Sequence, residues 1–535
     1  MNVIAVPLRV GRRLAAGGGG MFLFWVSVWL LATAAWRPLM LPDEGRYVGI
    51  AWEMITSGDW SVPRLAGMPF FHKPPLFYWL TALSLEIFGA HEWAGRMASF
   101  TGALLAVTGI YVFLRRYRTP LFAALVVGCL VTQPIFFGGA QFANLDMLVA
   151  GLISATILCA ADTVFRWQDQ RPYRIALLST YALAALGVLA KGLIGLVLPG
   201  GVIILWLLWR RKWREIWMLL SLPGVAVFLA IAAPWFLSMQ QRYPGFYDYF
   251  FVYQHFRRFA ETGFNNQFPV WFYLPVILVC ALPWSPWLLR SLPPLRLRSP
   301  VEQRRDGVCS LMLIWLALIV VFFSLPSSKL VGYILPAMPP FAFLIGESFF
   351  LWRQNNPAAA RRGYALTLAA AVSICLALIV GVALSDRPNR ASSRTLAQAV
   401  AGEVSPAVDE LLLIDGYPYD LPFYLRLRHA PWVLGDWNDP QVDQRDNWRK
   451  ELADAGKFEP ETRADHLLLV ERLPAKLCHG VVGAIWVWGR MEEGSATSWL
   501  PRQAIVHTVG KNTLWRLTPA ELKKLPLCSG TPTIG

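Results

Sequence analysis

The chain has 535 residues, of which 56% are hydrophobic, and its mean hydropathy is +0.43. Several uncharged windows reach the roughly 18–20 apolar residues that cross a ~30 Å hydrocarbon core, which excludes a soluble protein. The formal net charge is +15, but the arginines cluster in alternate short loops. This is the distribution of the positive-inside rule and not of a nucleic-acid-binding surface. The composition predicts a polytopic α-helical membrane protein that binds no nucleic acid.

The chain begins with a basic, then glycine-rich stretch (residues 1–20), which an apolar run over residues 21–40 follows. No small-residue cleavage site follows this run, so we expect a retained first span and not a removed signal peptide. The basic loops place the N-terminus inside. Residues 41–91 then form the first loop on the outer side.

Residues 73–89 keep only about fourteen apolar positions after their prolines, and a span there would invert every later loop. We therefore predict a juxtamembrane helix at the outer interface. About eleven spans are expected, or up to thirteen if kinked helices count separately, and an odd number places the C-terminal tail outside. After the first, they lie near 92–114, 119–138, 146–165, 174–190, 193–209, 216–237, 269–289, 308–325, 332–352 and 363–384.

The composition changes at residue 385 and becomes mixed, charged and turn-rich. Runs such as "ELLLIDG", "HLLLVER", "IWVWGR" and "QAIVHTV" are typical of strands. The sequence thus predicts a membrane domain over residues 1–384 and a soluble outer α/β domain over residues 385–535. Cys478 and Cys528 lie in this tail, where a disulfide between them is permitted. The stretch "DGYPYDLPFYLRLRH" is typical of a strand and turn, and it is a candidate for acceptor recognition.

Polar side chains gather at the predicted outer ends of spans that are distant in sequence. Ionisable groups at membrane depth are costly, and their presence points to function. The set comprises Asp43, Glu44, Arg46, Tyr47, His72, Lys73, Asp146, Lys191, His255, Arg257, Arg258, Lys329 and Tyr333.

The two adjacent acids of the first loop have competing explanations. Asp43 and Glu44 could cap the helix that begins near Gly45, because carboxylates favour helix N-termini. For Glu44 this is sufficient. Asp146 and several cations share the predicted face with Asp43, and two acids from different loops suit acceptor activation or metal coordination. Asp43 and Asp146 are the catalytic candidates.

The cations of the outer face also have two explanations. Lys73, Lys191, Arg257 and Arg258 could anchor the protein by reaching toward lipid phosphates. As a group they oppose the positive-inside bias, which favours a specific anionic ligand such as the phosphate of a lipid-linked donor. Tyr333 could be an interfacial aromatic residue. His72 and His255 are candidates for a divalent metal, although no close-spaced ligand motif accompanies them.

Taken together, five sequence features resemble the PMT-like family of GT-C glycosyltransferases, and within it the bacterial lipid A 4-amino-4-deoxy-L-arabinose transferases. They are the Asp-Glu pair after the first span, "SGDWSVPRLAGMPFFHKPPLFYW", "ANLDM", "LAKGLIG" and "SSKLVGYILPAMPP". The resemblance covers essentially the whole membrane region and the tail only loosely. It implies a GT-C fold of about 11–13 transmembrane helices, with periplasmic juxtamembrane helices and a C-terminal periplasmic α/β domain.

The resemblance also implies roles for individual residues. Asp43 matches the catalytic acid of the first loop and Asp146 the second family acid. The positions that match contacts to the carrier phosphate are Lys73, Lys191, Arg258 and Tyr333. Glu44, Arg46, Tyr47, Arg257 and Lys329 are further candidates for substrate contacts. His72 is a departure, because aminoarabinose transferases tend to have an acid before the motif lysine, and it leaves the metal and the sugar open.

The expected reaction moves a sugar, 4-amino-4-deoxy-L-arabinose or a related amino sugar, from undecaprenyl phosphate to a lipid A phosphate. It would occur on the periplasmic side of a bacterial inner membrane, among membrane lipids. The alternatives are a transferase of the same fold that acts on protein hydroxyls or another envelope glycan, and a flippase for a lipid-linked sugar. No inverted repeat of interrupted helices supports the flippase.

Overall fold

A computed structural model of the chain describes residues 18–257, 266–289, 304–385, 392–443, 447–479, 481–491 and 497–528. In chain order the α-helices are α1 (Gly19–Leu31), α2 (Asp43–Ser57), α3 (Leu76–Phe88), α4 (Glu92–Gly95), α5 (Met97–Tyr117), α6 (Pro120–Val131), α7 (Pro134–Ala140), α8 (Leu145–Gln168), α9 (Arg174–Lys191), α10 (Ile194–Trp209), α11 (Trp213–Leu219), α12 (Leu222–Arg242), α13 (Tyr273–Cys280), α14 (Arg304–Ser324), α15 (Met338–Asn355), α16 (Pro357–Leu384), α17 (Arg394–Val400), α18 (Leu421–Tyr424), α19 (Trp448–Gly456), α20 (Pro460–His466), α21 (Leu473–Leu477) and α22 (Pro519–Leu522). The strands are β1 (Arg64–Leu65), β2 (Met68–Pro69), β3 (Glu410–Ile414), β4 (Trp432–Leu434), β5 (Leu467–Leu468), β6 (Ile485–Arg490), β7 (Ile505–Val509) and β8 (Asn512–Leu517).

Two compact units account for the chain. The first comprises residues 1–34 and 96–381, and the second residues 35–95 and 382–535. The predicted first loop, residues 41–91, therefore packs with the C-terminal residues. The sequence had predicted it to be part of the membrane domain.

The first unit is a multi-pass membrane body. Among the described residues, seven helices are long and apolar enough to cross a membrane: α5, α8, α9, α12, α14, the stretch 331–354 and α16. An eighth would be the pair α6 and α7, which is bent by 76°. The shorter apolar helices of this unit are α1, α10 and the segment 270–280. The full number of spans stays a prediction.

Several predicted spans are shorter or more broken than their hydropathy suggested. The first helix ends at Leu31, not near residue 40. The predicted span 119–138 breaks between α6 and α7 because the residue before Pro134 is driven out of the helical region. The span predicted over 269–289 is helical only over Val270–Phe272, α13 and Ser285–Leu289, with Pro283 between the last two. Proline, which cannot continue a hydrogen-bonded helix, explains the breaks in the second and third of these segments.

Close glycine contacts set the spacing of the helices in the first unit. A Cβ atom on Gly151 of α8 would lie 2.0 Å from the Gly102 carbonyl oxygen of α5. A Cβ on Gly195 of α10 would lie 2.2 Å from the Gly187 carbonyl carbon of α9. Small residues let membrane helices approach to backbone contact, where van der Waals packing replaces the absent hydrophobic effect.

The second unit contains the predicted α/β domain. Its sheet, within the described residues, has the order β5-β4-β3-β6-β8-β7. The first four strands are parallel to one another, whereas β8 is antiparallel to both β6 and β7. The strands predicted from "ELLLIDG", "IWVWGR" and "QAIVHTV" are confirmed. "HLLLVER" contributes only the short β5, and β4 and β8 had not been predicted.

Two further features of the second unit had been considered in the sequence. Cys478 and Cys528 form a disulfide with a Cα–Cα distance of 5.4 Å, a pairing that the sequence permits but leaves open. The stretch "DGYPYDLPFYLRLRH" is a turn followed by α18, so the strand that its apolar residues indicated is wrong. The proline after Leu421 occupies the first turn of this helix, where its missing N–H costs little.

The helix α3 corresponds to the predicted juxtamembrane helix. It has 13 residues and is about 20 Å long, which is too short for a perpendicular span.

Candidate active site

In the first unit, Asp146, Lys191 and Tyr333 lie together. Asp146 is in the first turn of α8, whose N-cap Asn144 accepts a hydrogen bond from the Asp146 N–H at 2.9 Å. Lys191 is the last residue of α9, and its ammonium forms an ion pair with the Asp146 carboxylate. The same ammonium lies 4.2 Å from the centre of the Tyr333 ring. The structure therefore unites three of the predicted residues, which come from three distant segments.

The side chains of this cluster are largely buried, and the backbone at Gly332 lies close to Asp146. The side chains of Lys191 and Asp146 are 13% and 10% exposed. Gly332, next to Tyr333, lies so close that a Cβ there would be 2.7 Å from the Asp146 Oδ2 atom. The cation at a helix C-terminus and the carboxylate at a helix N-terminus each have a favourable dipole environment. A lysine held in this way can exchange the Asp146 carboxylate for a competing anion, such as a phosphate, by a small movement of its flexible side chain.

Lys329 has a different environment from Lys191. It is buried, and its ammonium donates to the Phe268 carbonyl oxygen at 2.9 Å and to the Pro326 carbonyl oxygen. Its backbone N–H donates to the Asn266 carbonyl oxygen at 3.0 Å. These bonds join the loop before Tyr333 to the segment that begins at residue 266. They give Lys329 a structural role, and its candidate role as a substrate contact stays a prediction.

In the second unit, Asp43 belongs to a cluster built around Arg46. The Arg46 Nη2 atom donates to Asp43 Oδ1 at 2.7 Å, and Nη1 pairs with the Glu451 carboxylate of α19. The Tyr419 hydroxyl donates to the other Glu451 oxygen at 2.6 Å. Burial alone would lower the pKa of Arg46, but the facing Glu451 carboxylate, with Tyr47, Tyr419 and Asp43, raises that pKa well above its usual value. The guanidinium is therefore a permanent charge.

Glu44 points away from this cluster. Its fully buried carboxylate forms an ion pair with Arg37 and accepts a hydrogen bond from the Met40 N–H at 2.9 Å. The cap explanation expected Glu44 to precede a helix that begins near Gly45, but α2 begins at Asp43, so Glu44 lies inside the first turn and is not the cap. Its bonds run to the residues before the helix. Glu44 thus fixes the backbone that enters α2 next to Asp43.

Other candidates of the first loop are distributed around aromatic side chains. Tyr47 is buried, with ring centres 5.3 Å from Phe77 and 6.0 Å from Tyr78. The His72 ring stacks on Phe70 at 4.3 Å, and the half-buried Lys73 follows it. Their predicted contacts with a carrier phosphate or substrate stay predictions.

The remaining candidates cannot be placed in either cluster. Arg258 lies outside the described residues, and of His255 and Arg257 only the backbone, in the π-helix Asp248–Arg257, is described. Over the described ranges, no group of three or more His, Cys, Asp and Glu residues could hold a metal ion. A metal site at His72 and His255 therefore stays a prediction.

Glu451, Tyr419 and Arg37 were missed by the sequence analysis. Glu451 lies 405 residues after its partner Arg46, and α19 carries charged residues along an ordinary amphipathic pattern. No local motif distinguishes it. Tyr419 does lie in the "DGYPYDLPFYLRLRH" stretch, which had been considered for acceptor recognition. Arg37 could have been found as a charge next to an apolar run.

Comparison with known proteins identifies the fold. A family model described as dolichyl-phosphate-mannose-protein mannosyltransferase matches residues 72–237. Among solved structures, ArnT from Cupriavidus metallidurans bound to undecaprenyl phosphate has a TM-score of 0.75 at 25% identity, over 94% of this chain and 98% of that chain. The chain therefore has the GT-C fold of polytopic membrane glycosyltransferases, and the resemblance to the PMT-like family is confirmed.

More specific relatives share one description, undecaprenyl phosphate-alpha-4-amino-4-deoxy-L-arabinose arabinosyl transferase. The protein of Pseudomonas aeruginosa strain LESB58 is 33% identical over 356 residues, which is 65% of this chain and 61% of the relative. The protein of Erwinia tasmaniensis is 31% identical over 369 residues, 68% of this chain and 65% of the relative. The matched part thus spans less than two thirds of the length of these curated relatives.

Proposed function

We propose that the protein is an integral-membrane glycosyltransferase that moves a sugar from undecaprenyl phosphate to a lipid A phosphate. The sugar in this proposal is 4-amino-4-deoxy-L-arabinose or a related amino sugar, and the reaction takes place on the periplasmic face of a bacterial inner membrane. The shared description of the curated relatives supports the donor, undecaprenyl phosphate with 4-amino-4-deoxy-L-arabinose, and lipid A is the acceptor that the resemblance of the sequence motifs implies. The disulfide Cys478–Cys528 supports an oxidising compartment for the soluble domain.

The observation that carries the proposal is the ion pair of Lys191 with Asp146 beneath Tyr333. In the proposed reaction, the carrier phosphate competes with Asp146 for the Lys191 ammonium. Charge that develops on the departing phosphate is then neutralised by a cation in a site that excludes most water, where an ion pair is worth more than in solution. Lys73, Arg258 and Tyr333 are the further candidates for holding this phosphate.

Asp43 has the second role in the proposal. A phosphate acceptor is already ionised near neutral pH, so it attacks the anomeric carbon without giving up a proton. The Asp43 carboxylate, which is 39% exposed, therefore has no proton to accept, and its proposed role is to orient the acceptor or the amine of the sugar. The attack displaces the carrier phosphate from the opposite side, so the configuration at the anomeric carbon is inverted.

The description of the matching family model favours a second candidate, in which the acceptor is a protein hydroxyl. A hydroxyl must lose its proton as it attacks, and Asp43 would then be a general base. The two candidates differ in their acceptor and in whether Asp43 accepts a proton during the reaction.

The experiment uses the purified full chain in sealed liposomes with undecaprenyl-phosphate-aminoarabinose. Separate reactions contain lipid A and a serine- and threonine-containing peptide as acceptor, and mass spectrometry follows the products. The proposal expects the aminoarabinose mass on lipid A, and its loss by at least about 10³-fold in Asp43→Asn. Transfer to the peptide alone would favour the second candidate. Movement of the carrier across the bilayer without transfer would contradict both.

A further inference from the structure

Arg46 is shared between two carboxylates that come from opposite ends of the sequence. One guanidinium nitrogen donates to Asp43 at 2.7 Å and the other pairs with Glu451. Both oxygens of Glu451 are engaged, one by Arg46 and one by the Tyr419 hydroxyl at 2.6 Å. Glu451 is only 12% exposed, whereas Asp43 is 39% exposed. The buried acid is therefore fixed, and the exposed acid remains accessible.

The backbone beside this cluster is equally constrained. Gly45 and Gly49 lie four residues apart on one face of α2, and this face packs against the turn that contains Tyr419. A Cβ on Gly45 would lie 3.1 Å from both the Tyr419 Cβ and the Asp420 nitrogen, and one on Gly49 would lie 2.9 Å from the Tyr419 carbonyl oxygen. The helix that carries Asp43 thus has little freedom to slide relative to Tyr419.

Several titratable groups surround Arg46 and determine its electrostatic environment. Its titratable neighbours are Asp43 and Tyr47 from α2, Tyr419 from the turn, Glu451 from α19 and, at longer range, Tyr78 from α3. The tyrosines are neutral near pH 7. Arg46 is therefore a single positive charge that is shared between two carboxylates, those of Asp43 and Glu451.

We infer that Glu451 is a positioning residue for Asp43, which acts by holding the Arg46 guanidinium in the orientation that directs the Asp43 carboxylate. The inference rests on the proposed function, because Asp43 is taken to act on the acceptor or the sugar. Glu451 itself touches neither substrate in this scheme. Its charge also competes with that of Asp43 for the Arg46 guanidinium.

A matched ion pair in the same unit provides the control. Glu459 receives two hydrogen bonds from Arg64, at 2.9 and 3.0 Å, and a third from the Thr462 hydroxyl at 2.9 Å. Like Glu451, it joins an arginine of the first loop to the C-terminal residues and accepts from a neighbouring hydroxyl. Arg64 is not a partner of Asp43 among the described contacts. Glu459→Gln therefore removes a comparable pair without changing the charge at Asp43.

The experiment measures kcat and KM for the lipid-linked donor from pH 4.5 to 8 in wild type, Glu451→Gln, Glu451→Asp and Glu459→Gln. Removing the negative charge at Glu451 stabilises ionised Asp43, so the acid limb of the kcat profile should move down by roughly half to one pH unit. We expect kcat to fall about tenfold and KM to stay within about twofold. Glu451→Asp should restore the acid limb, and Glu459→Gln should leave it unchanged.

A profile of Glu451→Gln that coincides with that of Glu459→Gln would reduce Glu451 to a structural ion pair and overturn the inference, although transfer by the wild type would still support the proposed function. Should the wild type transfer no sugar, a thermal-unfolding cycle decides the inference independently. Asp43→Asn and Glu451→Gln should then be non-additive by about 2 °C or more in Tm, and Asp43→Asn and Glu459→Gln additive. Additivity in both cycles would overturn the inference.

Discussion

The two clusters of candidate residues are held in position by different means. In the membrane unit, Asp146 and Lys191 meet at the ends of two helices, and the backbone of Gly332 packs against the Asp146 side chain. In the second unit, Asp43 is held through side chains, by an arginine that Glu451 also binds. A lysine on a flexible stem can exchange partners, whereas an arginine fixed at both ends cannot. The comparison suggests a mobile cation in the membrane unit and a fixed one beside Asp43.

Loss of the mobile cation should have the largest effect. We expect Lys191→Met to lower kcat/KM for the lipid-linked donor by about 10²- to 10³-fold, because a charge directed at the departing phosphate is removed. The measurement is initial rate against donor concentration. Lys457→Met removes another lysine–aspartate pair, to Asp454 at 2.6 Å, and should stay within about twofold of wild type. Equal losses in both variants would mean that Lys191 has no specific role.

The glycine contacts should make the membrane unit sensitive to a single methyl group. Gly151→Ala places a carbon 2.0 Å from the Gly102 carbonyl oxygen, so α5 and α8 must separate. We expect an overpacking cost of about 1–3 kcal/mol or more and a lower Tm, measured in detergent by the fluorescence of the intrinsic tryptophans. Gly200→Ala is the control, since a Cβ at this position in α10 has no neighbour within 4 Å. A Tm for Gly151→Ala equal to that of Gly200→Ala would contradict close backbone packing.

The second unit should instead be sensitive to reductant. The disulfide joins residues 50 positions apart, and a loop of this length restricts the unfolded chain by about 3–4 kcal/mol in the entropic description. We expect the double variant Cys478→Ser/Cys528→Ser to unfold at a lower temperature and to lose the effect of dithiothreitol on Tm. Cys280→Ser, at a free cysteine of the membrane unit, should keep the wild-type response.

A smaller effect should depend on pH. Burial raises the pKa of Glu53 on α2 to about 7, although its bonds from the Ala66 and Gly67 N–H groups, both at 2.9 Å, and the charge of Arg64 oppose this. An acid whose folded pKa is raised contributes stability below its unfolded pKa, near 4.5, and this stability is lost as the pH rises through about 7. The shift corresponds to on the order of 3 kcal/mol.

Comparison of wild type with Glu53→Gln tests this sign. The Tm of the wild type relative to the variant should decrease between pH 4.5 and 8, since only the wild type must ionise the buried carboxyl group. For Glu521 the bonds from Thr518 lower the pKa, so Glu521→Gln should show no such change above pH 5. A constant difference for Glu53→Gln across this range would contradict the raised pKa.

The sequence predicted the membrane cluster better than the cluster around Asp43. Asp146, Lys191 and Tyr333 each lie in a short apolar motif where a charge or a phenol is unexpected, and the resemblance to a family made Asp146 a catalytic candidate and Lys191 and Tyr333 candidates for binding the carrier phosphate. Glu451 is a charged residue on an amphipathic helix of the second unit, where such residues are common. Its partner is hundreds of residues away, so no periodicity or spacing could indicate the pair.

The breaks in the predicted spans could not be predicted from hydropathy. Hydropathy over residues 119–138 reports that the segment is apolar, and it does not report the 76° bend that Pro134 allows. The short strands β4 and β5 could not be predicted from the sequence for another reason. They have three and two residues, and their identity depends on pairing with β3 and with each other and not on their own alternation.

The pairing of Arg46 with Glu451 also imposes an order on biosynthesis. Ribosomes add roughly 5–20 residues per second, so 405 residues separate the appearance of these two side chains by about 20–80 s. During this interval α2 and Asp43 exist without the arginine clamp that the finished chain provides. The acid can therefore reach its final position only after nearly the whole polypeptide has been made, so a truncated chain retains the motif of the first loop but not the arrangement around Asp43.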